Sequence, residues 1–388
     1  MTARNQPPVF RVRTFSWVNL AKYLRYCRTY GFASATRLAF HRMARGGTLP
    51  GVLEPLALPP LPADDSDRDL VPIKKKISVV IPTRNAGPEF GFLLRKLRAQ
   101  KAIEQIEIIV VDSGSSDDTV AVAESAGAVV VRISPESFTH SYSRNCGAAR
   151  ATGDYLLFIV QDALPLTDRW LWEMTRVLEK SDVVGVSCAE YPREDSDLFY
   201  QLLIWNHYRS LRLDRDRIMQ WDSSCTSPDG LRANAQLSGI SFLILRDVFD
   251  KYRYAGDYAE DLELGIRLIR DGNKIGFLYS TRVLHSHNRP AFYFLKRGYV
   301  DVKNLARVMP GFTCPDIHEE QRVFDDISSL YQRLNSLAVN SGNGDSVLSV
   351  PEYIRRLRAA IISTTGAHRF QPANGTLEQF IRNVCRAT

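Results

Sequence analysis

The sequence predicts an α/β fold, a mainly parallel sheet with helices on both faces. Three observations predict it. Short, almost wholly apolar runs recur at ISVVIP (77–82), IEIIVVD (106–112), AVVVRI (128–133) and YLLFIV (155–160), the pattern of strands buried on both faces. Helical patterns separate them over 90–100, 118–126 and 143–151, the spacing of βα units. Three strands end in polar signatures, Pro82-Thr83-Arg84-Asn85, Asp112-Ser113-Gly114-Ser115-Ser116 and Gln161-Asp162-Ala163, at the edge where such sheets bind ligands.

The pattern loosens after Trp170. VVGVSCAEYP (183–192) and LSGISFLILR (237–246) read as strands, with a loop-rich stretch at 197–236 between them that carries Trp205, His207, Tyr208 and Trp221. EDLELGIRLIRDG (260–272) reads as a helix. Its acidic first turn suits the macrodipole and Gly272 suits its end. KIGFLYSTRVLHSH (274–287) is a strand or hairpin that closes on His285 and His287. Beyond residue 312, helical segments are expected at 319–337, 351–362 and 377–385, with the loop NSGNGDS at 340–346.

Charge divides the chain. Its 388 residues carry a net charge of +7. Residues 1–50 hold nine Lys and Arg and no acidic residue, so that stretch is +9 and the remainder is −2. Basic and apolar residues alternate near helical spacing over 14–45. Such a helix lies on an anionic membrane surface or packs on the main domain with a solvated basic face, and periodicity alone does not separate the two. Proline-dense sequence follows. The expected organisation is a basic helical arm (1–48), a Pro-rich linker (49–75), a catalytic domain (76–310) and a C-terminal helical region (311–388). No apolar run reaches the length of a membrane span, and no secretory signal opens the chain. The expectation is a cytosolic protein, peripheral on the inner face of the cytoplasmic membrane if the arm binds it. The six cysteines have no metal-binding spacing and are expected to be reduced thiols.

The polar strand ends suggest chemistry. A carboxylate at Asp112 can accept a hydrogen bond from a base N–H, while Ser113, Gly114 and Ser115 let backbone approach a ligand. Asp162 can hold a divalent cation, with His285 or His287 as a nitrogen ligand. Arg144 and Asn145, at the start of a helix, can meet phosphate oxygens. Each signal alone is weak, but the ordered set within one α/β domain is specific.

SVVIPTRN, IIVVDSGSSDDT, SYSRNCGAARATGDYLLFIVQDALP, AEDLELGIRLIRDG and VLHSH together resemble the inverting family 2 glycosyltransferases of GT-A fold over about residues 76–300. FTHSYSRN, QDALP and HSH before a Phe/Lys/Arg-rich helix are similar to bacterial rhamnosyltransferases of that family. The resemblance implies a GT-A sheet with helical appendages and transfer from a nucleoside-diphosphate sugar, dTDP-rhamnose or a UDP-sugar, to a glycan or lipid-linked acceptor in cell-surface polysaccharide synthesis. It implies that Pro82, Thr83, Arg84 and Asn85 line the donor pocket and that Asp112 meets the pyrimidine edge. Arg144 lies near the diphosphate, and Asp162 stands at the metal motif for Mg²⁺ or Mn²⁺ with His285 or His287. Asp261 is the base, and Glu260 orients the acceptor or raises the base's proton affinity. The motif Gln161-Asp162-Ala163 departs from the family's Asp-x-Asp by one carboxylate.

Other classes fit less well. A nucleotidyltransferase opens on a glycine-rich phosphate loop that IPTRNAG lacks, and a processive synthase carries membrane helices and a Gln-x-x-Arg-Trp motif that are not found. A non-catalytic scaffold has only the shortened motif in its favour, set against the Glu260-Asp261 pair. No recognition motif for nucleic acid accompanies the basic arm. If the arm is a membrane anchor, deleting residues 1–50 releases the protein from anionic vesicles in a flotation assay. Equal binding by the truncated chain would exclude that role.

Overall fold

The computed structural model describes residues 70–312, apart from residues 194, 195, 197, 288 and 290. The predicted arm, most of the linker and the three C-terminal helices lie outside the described residues.

The first half alternates as the apolar runs require. Strand β1 (Ile77–Thr83) leads to helix α1 (Phe90–Arg98), β2 (Ile106–Asp112) to α2 (Thr119–Ser125), and β3 (Val129–Arg132) to α3 (His140–Arg150). Then follow β4 (Tyr155–Ile159), the two-residue β5 (Leu164–Pro165), α4 (Trp170–Lys180) and β6 (Gly185–Tyr191). The second half contains α5 (Leu198–Ser210), β7 (Arg217–Met219), α6 (Pro228–Ala235), β8 (Ser241–Leu245) and α7 (Arg246–Tyr252). It closes with α8 (Glu260–Arg270), β9 (Ile275–Leu284) and α9 (Ala291–Val308).

Among the described residues the strands form one mixed sheet, ordered β3-β2-β1-β4-β8-β6-β9-β5, with β7 also pairing β9. Pairing is parallel from β3 through β4 and again between β6 and β9, whereas β8 runs antiparallel to both β4 and β6. The carboxyl ends of β1, β2, β4, β6 and β9 therefore share one edge, and β8 begins there. Alternate side chains feed two cores. Val79, Ile81, Ile108 and Val110 pack with Phe90, Leu94, Trp170 and Met174 of α1 and α4. Val80, Ile109, Val111 and Phe158 pack on the opposite face with Phe249, Leu264 and Leu268. Both faces are buried, so these strands read as continuous apolar runs.

Two departures from expectation have physical causes. The stretch 197–236 is not mainly loop; it holds α5, β7 and α6. In α5 the run LFYQLLIW has no polar stripe, so the period that marks a surface helix is missing. Helix α3 starts three residues earlier than the apolar pattern suggested, because the Thr139 side chain accepts from the Tyr142 amide and caps it. Residues 274–287 form one strand, not a hairpin, and the histidines lie just past its end. That strand has a break in register. Cys188 pairs with Leu278, but Ala189 pairs with Arg282. The residues skipped are held by Asp216, whose carboxylate accepts from the amides of Tyr279 and Ser280 at 2.7 and 2.8 Å.

Helix α3 sits close on β1 and β2 because Gly147 faces them. A Cβ there would run into Val80 Cγ1 and lie 2.9 Å from Val111 Cγ2. Gly147→Ala is expected to cost about 1–3 kcal/mol through overpacking, read as a lower urea midpoint at unchanged slope. An unchanged midpoint would show that the helix has slack.

Candidate active site

The loops after β1 and β2 are sewn together at the shared edge. Thr83 and Asp112 are register partners. The Asp112 carboxylate is 3% exposed and accepts from Thr83 Oγ1 at 3.2 Å, from the Gly114 and Ser115 amides at 3.1 and 3.0 Å, and from Ser115 Oγ at 2.5 Å. Its first task is thus to shape its own loop. Buried Ser113 donates from both its amide and its hydroxyl to the Thr83 carbonyl. Asn85 sits at φ 47° and accepts from the Ser116 amide at 2.8 Å, while its own amide donates to Ser115 Oγ. Asparagine tolerates this left-handed geometry better than most residues. Pro82 is half-buried, and Arg84 and Gly114 are exposed at the mouth.

Gln161, where the motif lacks its first carboxylate, joins β1 to β4. Its Oε1 accepts from the Arg84 amide at 2.8 Å, and its Nε2 donates to the Arg84 carbonyl at 3.3 Å. Sequence reasoning treated this residue only as a missing ligand.

Asp162 follows, and both predicted histidines meet it. Its Oδ1 lies 3.6 Å from His285 Nε2, and its Oδ2 lies 3.6 Å from His287 Nε2. One donor atom from each of the three falls within 4.8 Å of the others, a group able to hold a metal ion. The imidazole rings meet edge to face at 4.7 Å. Behind them, His285 Nδ1 lies 2.7 Å from Glu190 Oε2, with both side chains buried. Burial opposes a proton on His285, but the Glu190 carboxylate outweighs it and raises the pKa. Burial, followed by the neighbouring His285, pushes His287 down to about 4. Arg193, just past β6, donates from Nη2 to the Asp162 carbonyl at 2.7 Å and from its amide to Ser286 Oγ at 3.1 Å. It also pairs with Glu89 at 2.8 Å. Glu190 and Arg193 were not anticipated from sequence. The only available signal was a polar pair at the end of an apolar strand.

The Glu260-Asp261 pair opens α8 and reaches the same edge. The Val160 amide, just after β4, donates to Ile240 at 3.1 Å. A Cβ on the adjoining Gly239 would lie 3.0 Å from Asp261 Oδ2, so the glycine leaves space beside that carboxylate. Asp261 is partly exposed, and its Oδ1 accepts from the Leu262 amide at 2.8 Å. Burial raises its pKa to about 6, and the nearby Glu260 carboxylate adds to the rise.

Arg144 and Asn145 stand elsewhere on their helix than expected. They lie in the second turn of α3, not at its start, and point inward. Arg144, 3% exposed, pairs through Nη1 with Glu260 Oε1, donates from Nη2 to the Gly239 carbonyl at 2.7 Å, and stacks over Tyr254. Asn145 is bonded both ways to the Tyr254 backbone, at 2.9 and 3.2 Å. Together they hold the approach to α8. The described cysteines, Cys146, Cys188 and Cys225, are free thiols, as expected.

Residues 78–230 match the family described as Glycosyl transferase family 2. The chain is 26% identical over 227 residues to the O-antigen chain rhamnosyltransferase WbaN of Salmonella anatum, covering 54% of this chain and 66% of that protein. It is 25% identical over 226 residues to the O-antigen chain rhamnosyltransferase RfbN of Salmonella typhimurium, covering 55% and 67%. The matched region thus spans about two thirds of the length of these curated relatives. A solved structure with 15% identity and a TM-score of 0.47, covering 95% of this chain and 90% of its own, is the mannosyltransferase PcManGT from Pyrobaculum calidifontis in complex with GDP-Man and Mn²⁺.

Arg144→Met would strand the Glu260 carboxylate in the interior, a loss of about 3–5 kcal/mol for a broken buried pair. Adding Glu260→Gln should recover part of it. Equal denaturation midpoints for Arg144→Met and wild type would show that the pair supports nothing.

Proposed function

We propose, from the premise that residues 78–230 are a glycosyl transferase family 2 domain, that this chain performs an inverting transfer from a nucleoside-diphosphate sugar with Asp261 as its base. The observation that carries the reading is a partly exposed carboxylate with pKa raised to about 6, on the same sheet edge as the Asp162–His285–His287 group. A general base works best when its pKa lies near the operating pH.

The donor nucleoside fits the mouth formed by Pro82, Thr83, Arg84, Asn85 and the Ser113-Gly114-Ser115 turn. Asp112 fixes the shape of that turn, its carboxylate already accepting from Thr83, Gly114 and Ser115. Asp162, His285 and His287 suit a divalent cation such as Mn²⁺ or Mg²⁺, in donor type and in separation. When bound, that ion supplies positive charge against the departing diphosphate. Asp261 takes the proton from the acceptor hydroxyl as its oxygen attacks the anomeric carbon. The bond from that carbon to the diphosphate oxygen breaks, and the centre inverts in one displacement. Glu260 keeps the proton affinity of Asp261 high, and Arg144 holds Glu260. Rhamnose, carried by dTDP, is the preferred donor sugar. Its support is the similarity to two curated O-antigen rhamnosyltransferases, and the same similarity makes a glycan or lipid-linked acceptor the preferred partner. Among the described residues no helix is long and apolar enough to cross a membrane.

Asp261→Asn should lower kcat by about 10²–10⁴-fold, the usual worth of a general base, with donor affinity by calorimetry unchanged. Retained turnover would remove Asp261 from this role. In the wild type, kcat/KM should fall as pH drops through about 6, because protonating Asp261 removes the base. Glu260→Gln should move that limb to lower pH by removing the like charge. A screen of dTDP-rhamnose against UDP- and GDP-sugars tests the donor, and turnover with a UDP- or GDP-sugar alone would overturn the rhamnosyl assignment.

A further inference from the structure

The ligand set at Asp162 differs in kind from a pair of carboxylates. It offers one oxygen and two imidazole nitrogens, all supplied by protein and already gathered. Two donors that each bind one ion at about 2.1 Å lie at most about 4.2 Å apart. The 3.6 Å separations, from Oδ1 to His285 and from Oδ2 to His287, fall within that limit, and the three donors together lie within 4.8 Å, so a small adjustment would close them on one ion. Imidazole suits first-row transition ions, whereas Mg²⁺ prefers oxygen and gives up its water reluctantly.

What gathers the set lies behind it. A neutral imidazole has one N–H and one lone pair, and the partner of one nitrogen decides the state of the other. Glu190 Oε2 is 2.7 Å from His285 Nδ1, while Nε2 faces Asp162, so a hydrogen held on Nδ1 by Glu190 would leave the Nε2 lone pair for an ion. Tyr200 donates to the same Glu190 oxygen at 2.9 Å and keeps the carboxylate from swinging away. The backbone adds a second hold, because Glu190 pairs with Val283 in the sheet and the His285 amide donates to the Tyr191 carbonyl at 2.9 Å. Arg193 ties the Asp162 carbonyl to the Ser286 hydroxyl, joining the segments that carry all three ligands.

We propose that Glu190 is the positioning residue of this site. Resting on the metal-assisted reading above, the proposal is that Glu190 fixes His285 as the Nδ1–H tautomer. The Asp162–His285–His287 set is thereby assembled before any nucleotide arrives, and it takes Mn²⁺ in preference to Mg²⁺. The ion is then a resident of the protein and does not depend on the diphosphate to bring it in.

The test is a MnCl₂ titration of the nucleotide-free full-length protein, with free Mn²⁺ read by electron paramagnetic resonance. One Mn²⁺ should bind per chain, and a hundredfold excess of MgCl₂ should displace less than half of it. Glu190→Gln should weaken Mn²⁺ about 10–100-fold, the usual effect of removing the partner of a metal-binding histidine, at unchanged thermal midpoint. Mn²⁺ binding by Glu190→Gln equal to wild type would overturn the role of Glu190. Easy displacement by Mg²⁺ would overturn the preference. Binding that appears only once UDP or dTDP is added would overturn preassembly yet leave the metal-assisted reading intact. No binding under either condition, matched by Asp162→Ala, would bring down the metal-assisted reading itself. If Glu190→Gln does not fold, ¹⁵N NMR of the wild type at a pH where His285 is neutral still decides, since a hydrogen on Nε2 with none on Nδ1 contradicts the proposal.

Discussion

The buried pairing of Arg144 with Glu260 joins the two halves of the domain, and the candidate site edge depends on it. Arg144 belongs to α3, in the regular first half, and Glu260 opens α8 in the second. The guanidinium also binds the Gly239 carbonyl and stacks on Tyr254, so three segments converge on one cation. A charge this deep is tolerated only while its partners stay in place. That requirement sets where α8 begins and where Asp261 stands. The pair also explains how a carboxylate next to an arginine keeps a raised pKa. Glu260, not Asp261, makes the ion pair, and Asp261 is left with burial and a like-charged neighbour.

A second constraint works at the mouth. Three loops that would otherwise be independent are bonded side chain to backbone, Asp112 to its own turn, Asn85 to Ser116 and Gln161 to Arg84. The loss of a carboxylate at position 161 is therefore also the gain of a brace. The neutral amide does a job that a carboxylate could not, because it both donates and accepts.

Much of this was legible in the sequence, for physical reasons that differ by element. The strands at 77–83, 106–112 and 155–159 declared themselves because sheets buried on both faces leave no polar alternation. Asp162, His285 and His287 were legible because polar residues following buried strands must emerge at one edge. Direction was not legible. Arg144 and Asn145 were the right residue types on the right helix, but they point inward, and spacing does not say which turn of a helix meets the interior until its cap is located. Glu190 and Arg193 were hidden for the opposite reason. They act through another residue, and a supporting hydrogen bond leaves no motif. Helix α5 was missed because a helix without a polar stripe looks like no element at all.

The break in register on β9 has a consequence for how this chain can change length. Upstream of it the strand pairs with β6 and β7; downstream it pairs with β6 and β5 and runs straight into His285. One residue added after Arg282 would turn His285 to the opposite face, since side chains alternate along a strand. The bulge gripped by Asp216 is already out of step with its neighbour, so a residue gained or lost there need not shift the downstream pairing. Insertions and deletions in this strand should therefore accumulate at 279–281, with the stretch from Arg282 to His287 keeping a fixed length, much as a slack joint spares a gauge.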